Sequence, residues 1–206
     1  FFNPFFSRIQ SCALEKGEDK VRTLEDEAAE KANAVLKNYP EHFRDQWLMR
    51  MRAKLGLMDK ASEDPALIQN LLDILHAESA DFTGAFRALS HAVGDEVKLD
   101  ELPFVLQLSD HGRFRTWLQD WQQRLQSEAD PAASVQQGML NTNPACIPRN
   151  HQIQRAIVAA EQKQDLSVFE QLLQVFSGPF EERPEFEEFQ RPPKPEQRVL
   201  ETFCGT

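Results

Sequence analysis

Apolar side chains recur at steps of three and four residues along most of this chain, which is the spacing of one face of an α-helix. In the segment 40–55 they stand at steps of four: Phe43, Trp47, Met51 and Leu55. Basic residues crowd the last turn of this segment, and Gly56 can terminate it. The same spacing returns in five later segments: 65–78, 82–90, 112–126, 153–160 and 166–176. The pattern therefore predicts an all-α fold, built as an irregular multi-helix bundle.

Proline and aspartate mark the predicted helix starts. Pro40, Pro65 and Pro131 occupy the predicted first helical position, where the fixed φ of proline suits the helix and its missing N–H costs nothing. Four aspartates are placed to cap the exposed N–H groups that follow them: Asp64, Asp81, Asp130 and Asp165.

Two stretches have a less regular pattern. The stretch 22–37 is rich in Glu, Ala and Lys, and it predicts a helix with a weak apolar side. The stretch 96–108 is compatible with a short helix or a strand, and its helical surroundings favour a helix. No Asn-Gly or Asp-Gly pair stands between alternating runs, so the sequence predicts no β-hairpin.

The character of the chain changes after Gly178. Residues 181–190 are acidic, and the prolines of 191–195 exclude a continuous helix. We therefore divide the chain into a helical region, 1–178, and an extended Pro-rich tail, 179–206. The tail carries three spaced rings: Phe180, Phe186 and Phe189. A frayed terminus is the alternative, but disordered tails are poor in aromatics, so we favour a tail docked on a surface through these rings.

Composition and charge narrow the classes of partner. The 206 residues are 41% hydrophobic, and the formal net charge is -10. A surface of this sign repels phosphate backbones and anionic lipid, which argues against nucleic-acid and membrane partners. No apolar run approaches the roughly 20 residues of a membrane-spanning helix. The aromatic opening 1–6 lacks the basic region of a signal peptide, and we expect its rings to pack on a preceding domain of a longer polypeptide or on this one.

Motifs for nucleotide or metal chemistry are missing from the sequence. It has no glycine-rich phosphate loop, and its five histidines share no metal-ligand spacing. The triplet Asp110-His111-Gly112 copies a magnesium-binding Asp-x-Gly only superficially, and we interpret it as a loop whose aspartate caps the following helix. We therefore expect neither a catalytic residue nor a metal ligand in this chain.

Two further positions are candidates for binding or redox chemistry. Arg149 and Asn150 open a helix, where Asn150 acts as a cap and Arg149 forms a salt bridge, or where both meet an anion or a carboxylate of another domain. The three cysteines, at positions 12, 146 and 204, are too sparse for a disulfide framework. Cys204 stands third from the C-terminus, where a thiol is accessible.

Several short motifs occur in an order that resembles one known family. They are RMRAKLGL at 50–57, ED at 63–64, DFTGAFR at 81–87, NPACIPRN at 143–150, GPF at 178–180, PP at 192–193 and TFCGT at 202–206. From about Phe43 onward this succession is similar to the C-terminal part of the SelO family of protein adenylyltransferases, whereas the first forty residues match the motifs poorly.

The resemblance implies a helical C-terminal part of a kinase-like protein. Such proteins transfer AMP from ATP to Ser, Thr or Tyr hydroxyls of target proteins and use Mg²⁺ or Mn²⁺. The family's nucleotide-binding, metal-binding and catalytic residues lie upstream of the matched motifs, so the resemblance assigns no catalytic residue here. It gives Cys204 the family's redox position. It also implies a cytoplasmic location for a bacterial member and a mitochondrial one for a eukaryotic member.

Our leading hypothesis is a structural and regulatory region that supports an upstream kinase-like domain, inactive by itself and without bound ATP or metal of its own. Its partners are then that domain and protein substrates. The alternative is an independent helical interaction module that binds a partner through the rings of the tail.

Overall fold

The structure is a computed structural model that describes residues 18–94, 105 and 108–199. Eight α-helices occur in these residues: α1 (Glu18–Leu55), α2 (Asp64–Ala77), α3 (Phe82–His91), α4 (His111–Leu125), α5 (Ala132–Thr142), α6 (Asn150–Lys163), α7 (Ser167–Phe176) and α8 (Glu187–Gln190). The described residues contain no strand, so the predicted all-α fold is confirmed. None of their helices is long and apolar enough to cross a bilayer. The opening rings, Cys12, Cys204 and most of 96–108 lie outside the described residues.

The first helix joins two segments that were predicted to be separate. It runs through both 22–37 and 40–55, with Pro40 inside it, so the prediction that Pro40 opens a helix is wrong. An interior proline removes one N–H donor and costs about 3 kcal/mol. The flanking Glu, Ala, Lys and Leu residues have high helix propensity, and this propensity favours a continuous helix despite that cost.

The chain divides into two compact units, residues 1–49 and 50–206. In the first unit, α1 exposes five large apolar side chains: Val35, Leu36, Tyr39, Phe43 and Met49. The rings of Tyr39 and Phe43 are stacked with their centroids 6.1 Å apart. Of the apolar stripe predicted for 40–55, Met51 and Leu55 are buried in the second unit.

The core of the second unit is built around two tryptophans of α4. The indole N–H of Trp117 donates to the carbonyl of Leu67, at 2.8 Å, and that of Trp121 donates to the carbonyl of Leu55, at 2.9 Å. Each ring is therefore buried with its polar atom satisfied. Helix α2 lies against α4, α3 against α5, and α6 against α7.

The end of α1 follows the prediction for Gly56. This glycine has φ +73°, in the left-handed region, and the N–H of Leu57 donates to the carbonyl of Arg52 at 2.9 Å. That bond is the Schellman arrangement that terminates many helices.

Two predicted caps are present. Asp81 accepts from the N–H of Gly84 at 2.8 Å, and Asp110 accepts from that of Arg113 at 3.1 Å. Asp165 accepts from the N–H of Ser167 at 2.9 Å, but it lies one residue before the capping position of α7, which Leu166 holds. The cap predicted for Asp130 is wrong, since α5 begins at Ala132 and no side chain caps it. Pro131 takes the capping position itself, with an extended ψ of 144°.

The segment after Gly178 is less extended than predicted. It contains 3₁₀ turns at Pro184–Phe186 and Pro195–Gln197 as well as α8. A proline opens each 3₁₀ turn, where its fixed φ is compatible with helical geometry. The ring of Phe189 is buried in a cluster with Cys146, Ala145, Ala156, Leu172 and Val175. Phe186 is partly buried against the same cluster, whereas Phe180 is 43% exposed.

Candidate functional site

Several polar residues of the sequence motifs meet in the second unit, together with Ser90, Arg124 and Glu128 from outside the motifs. They form three groups: the Asp64 cluster (Arg52, Asp64, Arg124 and Glu128), the Asn143 cluster (Lys54, Arg87, Ser90 and Asn143) and the pair of Asp81 with Arg149. Residues far apart in sequence supply each group, so the groups fix how the helices pack.

The Asp64 cluster is centred on a fully buried carboxylate. Nε of Arg52 lies 2.6 Å from one oxygen of Asp64, and Nε of Arg124 lies 2.9 Å from the other. The N–H of Ala61 also donates to Asp64, at 3.0 Å. The prediction that Asp64 caps the helix is wrong, because Glu63 holds the capping position and Asp64 is the first residue of α2. Two guanidinium groups offer this carboxylate stronger, charge-assisted hydrogen bonds than a helix end does.

The same cluster ties down the loop between α1 and α2. Arg124 donates to Glu128 at 2.6 Å and, from its other terminal nitrogen, to the carbonyl of Asp59. Glu128 in turn accepts from the N–H groups of Met58, at 2.9 Å, and Asp59, at 3.0 Å.

Burial raises the pKa of Asp64, but the hydrogen bonds from Ala61, Arg52 and Arg124 outweigh burial and hold the pKa below its ordinary value.

The Asn143 cluster joins α1, α3 and the end of α5. The side-chain amide of Asn143 donates to the carbonyl of Lys54 at 2.8 Å and to the hydroxyl of Ser90 at 3.0 Å. The Lys54 ammonium donates back to Asn143 at 3.2 Å and lies 5.4 Å from the centre of the Phe86 ring. Burial lowers the pKa of Lys54.

Arg87 extends this cluster to the segment after α7. Its Nη1 donates to the carbonyls of Leu140 and Asn143, each at 2.9 Å, and its Nη2 donates to that of Phe180 at 3.1 Å. Its Nε lies 2.6 Å from Glu182, and Nε2 of His91 contacts the same carboxylate oxygen at 2.6 Å. The guanidinium of Arg87 therefore connects α3 to the end of α5 and to the segment after α7.

Arg149 performs a similar role at the start of α6. Its two terminal nitrogens each lie 2.8 Å from an oxygen of Asp81, and one of them also donates to the carbonyl of Gln190 at 2.8 Å. Of the two roles considered for Arg149, the structure shows the salt bridge. Asn150 is the first residue of α6 rather than its cap, since Arg149 holds the capping position and no side chain caps this end.

Comparison with known proteins identifies the family. The sequence matches the family model described as protein adenylyltransferase SelO over residues 7–177. The chain belongs to the SelO family. The match begins well before Phe43, so it includes most of the first forty residues that the motif comparison left out, and it ends before Gly178.

Curated SelO relatives agree with this assignment. The chain is 42% identical over 193 residues to the protein nucleotidyltransferase YdiU of Rhizobium etli (strain CIAT 652), covering 92% of this chain and 38% of that protein. It is 41% identical over 182 residues to that of Rhodopseudomonas palustris (strain BisB5), covering 88% and 37% respectively. It is 37% identical over 201 residues to that of Bradyrhizobium diazoefficiens, covering 97% and 39%. The chain thus spans less than two fifths of the length of these relatives.

Among the described residues of this SelO chain, no three His, Cys, Asp or Glu side chains are grouped to hold a metal ion. Asp110 of the Asp-x-Gly triplet caps α4, as the sequence predicts.

Cys146 is the cysteine that the described residues include, and it is a free thiol. It is 4% exposed, and the N–H groups of Ala145 and Cys146 both donate to the carbonyl of Pro179. Burial raises the pKa of its thiol, although Arg183, Arg149 and Arg87 act in the opposite direction. The redox role of Cys204 stays a prediction, because that residue lies outside the described part.

Sequence reasoning missed Arg124 and Glu128 as members of a buried cluster. Their spacing of four residues, with Arg124 on the helix that carries Trp117 and Trp121, was the available signal. It was ambiguous, since the same spacing is common on solvated helix faces.

Proposed function

We propose that this chain is the helical C-terminal region of a SelO protein adenylyltransferase, which transfers AMP from ATP to Ser, Thr or Tyr hydroxyls of target proteins. Catalysis then belongs to an upstream kinase-like domain, and this region supports that domain and regulates it. The names of the relatives and the family assignment support the nucleotidyltransferase activity. The share of the relatives' length that the chain does not match leaves room for the catalytic domain.

The observation that supports the proposal most strongly is that the motif residues hold helices together. Three motif arginines, Arg52, Arg87 and Arg149, bond to Asp64, to the carbonyl of Asn143 and to Asp81, respectively, and the Asn143 amide donates to the carbonyl of Lys54. Groups held this way stabilise helix packing and are poorly placed to act on a substrate. We therefore propose that ATP, with Mg²⁺ or Mn²⁺, binds to the upstream domain.

Regulation is assigned to Cys204. In this proposal its thiol and a cysteine of the kinase-like domain lose two protons and two electrons to a peroxide oxidant and form a reversible disulfide. Non-reducing electrophoresis of the full protein, with and without Cys204→Ser, tests this step. Equal mobility of the two proteins after oxidation would remove it.

The alternative, an independent module that binds through Phe180, Phe186 and Phe189, has less support. Phe189 is 1% exposed and belongs to the core cluster, so it is not available to a partner without unfolding of α8. The exposed ring of Phe180 alone is a small surface.

A fusion protein tests the proposal directly. This chain would replace the matching part of the Rhizobium etli relative, and AMP transfer to an acceptor protein would be measured with radiolabelled ATP, Mg²⁺ and Mn²⁺. We expect transfer by the fusion protein, none by this chain alone and little by the remainder of the relative alone. AMP transfer by this chain alone would refute the proposal.

A further inference from the structure

The middle of α1 exposes a stripe of large apolar side chains. Val35, Tyr39 and Phe43 follow one another at steps of four residues, so they lie on one face of the helix. They are 69%, 59% and 55% exposed, and Leu36 at the edge of this face is 66% exposed. We call these four residues the α1 stripe. It is about 12 Å long, since a helix rises about 1.5 Å per residue.

The exposure of the α1 stripe indicates a contact surface. Single exposed apolar residues are common on proteins, but a contiguous apolar patch marks an interaction site. Residues 26–46 of α1 are all exposed, so the described part of the chain leaves the stripe uncovered. Helices of globular proteins gain most of their stability by packing an apolar face. Pro40 weakens α1 within the stripe, so packing of this face matters more here than in an ordinary helix.

The shape and chemistry of the α1 stripe define what can cover it. The rings of Tyr39 and Phe43 are stacked with an angle of 29° between their planes, so they present one joint ridge. By helical spacing the opposite face of α1 is polar and includes Glu30, Glu41 and Asp45. Because a buried tyrosine hydroxyl usually has a hydrogen-bond partner, the complementary surface must be an apolar groove that contains an acceptor.

The small size of the α1 stripe favours a partner within the same polypeptide. A stable interface between separate molecules takes about 20–30 residues from each partner, and the stripe has four. Two copies of this chain would also repel each other through their formal net charge of -10. A domain joined by a linker has an effective concentration on the order of millimolar, so a small contact is sufficient to hold it.

The relatives contain enough additional polypeptide to supply this partner. The match to the Rhizobium etli relative covers 92% of this chain but only 38% of that protein. The family model matches from residue 7 onward, so the whole of α1 belongs to the matched region. In the function proposed above, the unmatched part of the polypeptide contains the kinase-like domain.

We propose that the α1 stripe packs into an apolar groove of the upstream kinase-like domain. This inference rests on the proposed function, and it adds the surface through which this region contacts that domain. Removal of the four side chains from water drives the contact. The hydroxyl of Tyr39 donates to an acceptor of the groove.

Hydrogen exchange measured by mass spectrometry tests the contact in two proteins, the full 206-residue chain and its fusion with the Rhizobium etli relative. The amides of residues 26–46 should exchange quickly in the chain alone and at least about tenfold more slowly in the fusion, because docking suppresses local opening of α1. Val35→Asp should remove this protection. Ala34→Asp is the matched control, since it places the same charge on the polar side of the helix, and it should keep the protection.

Two further measurements separate docking from folding. Tyr39 is the only tyrosine of this chain, and tetranitromethane should nitrate it rapidly in the chain alone and slowly in the fusion. Val35→Asp and Ala34→Asp should each leave the melting temperature of the chain alone unchanged, because both positions are exposed. Loss of protection in the Val35→Asp fusion then reports a lost contact.

The docking and the proposed function can fail separately. Equal exchange of α1 in the chain and in the fusion, or equal protection in the two aspartate variants, would overturn the docking even if the fusion transfers AMP. Protection that appears in the chain alone and rises with its concentration would assign the α1 stripe to a second copy and would also overturn it. A fusion that protects α1 but transfers no AMP would support the docking and contradict the proposed function.

Discussion

Arg149 donates from both terminal nitrogens to the two carboxylate oxygens of Asp81, each at 2.8 Å. The pair connects the start of α3 to the start of α6, and Asp81 at the same time caps α3 through Gly84. Two residues of separate family motifs thus form one bidentate contact. Although the family is named for nucleotidyl transfer, this contact gives Asp81 and Arg149 a structural role: it holds the starts of α3 and α6 together.

Neutralising Asp81 tests the strength of this contact. Asp81→Asn keeps an oxygen that can cap α3 but leaves Arg149, whose side chain is 6% exposed, without its counter-ion. We expect a loss of about 3 kcal/mol in the free energy of unfolding, measured by urea denaturation. Asp120→Asn, on the exposed side of α4, is the control and should change stability by less than about 0.5 kcal/mol. Equal stability of the two variants would contradict the assignment.

Acid stability should depend on three carboxylates that are paired with arginines: Asp64, Asp81 and Glu182. Hydrogen bonds outweigh burial and lower the pKa of Asp64, Asp81 and Glu182 below their ordinary values. Each group binds protons more tightly in the unfolded chain, so its stabilisation is complete above its ordinary pKa and is lost as pH falls through the lowered one. We expect circular dichroism to show stability falling below about pH 4. Asp64→Asn should lower stability at neutral pH and flatten this slope, and an unchanged slope would contradict the lowered pKa of Asp64.

Gly56 should tolerate no side chain. A Cβ there would lie 2.5 Å from Cγ1 of Val135 and 2.8 Å from Sδ of Met139, and its φ is +73°. Gly56→Ala should therefore cost more than about 2 kcal/mol of stability, from both overpacking and backbone strain. Gly138→Ala is the matched control, since nothing lies within 4 Å of its Cβ position. Alanine has the higher helix propensity, so this control should gain about 0.5–1 kcal/mol. Similar stability changes in the two variants would contradict the close contact with α5.

The sequence indicates the helices and local caps more reliably than the buried contacts between them. Asp64 and Asp81 carry the same capping signal, yet only Asp81 caps a helix, because Arg52 and Arg124 surround Asp64 in the folded chain. Arg124 is 60 positions from Asp64, and no local pattern predicts that pairing. The prediction for Pro40 is wrong for a different reason. The high helix propensity of the neighbouring residues outweighs the loss of one N–H donor.

Cys146 should be protected from alkylation in the native protein. It is 4% exposed and its thiol pKa is raised by burial, and the thiolate is the reactive form. Mass spectrometry after a short iodoacetamide treatment should find Cys146 unmodified in native protein and modified in urea. Arg87→Ala should speed native modification, because Arg87 fastens the segment that covers this thiol. Rapid alkylation of the native parent would contradict the docking of that segment.

The central claim is that the motif residues of this chain hold its helices together and do not act on a substrate. The most direct measurement is AMP transfer by the fusion with the Rhizobium etli relative, carrying Asp81→Asn, with the folded fraction determined in the same buffer. We expect kcat per folded molecule to stay within about twofold of the parent fusion, while the folded fraction falls. A variant that is fully folded but has lost its activity would contradict the claim.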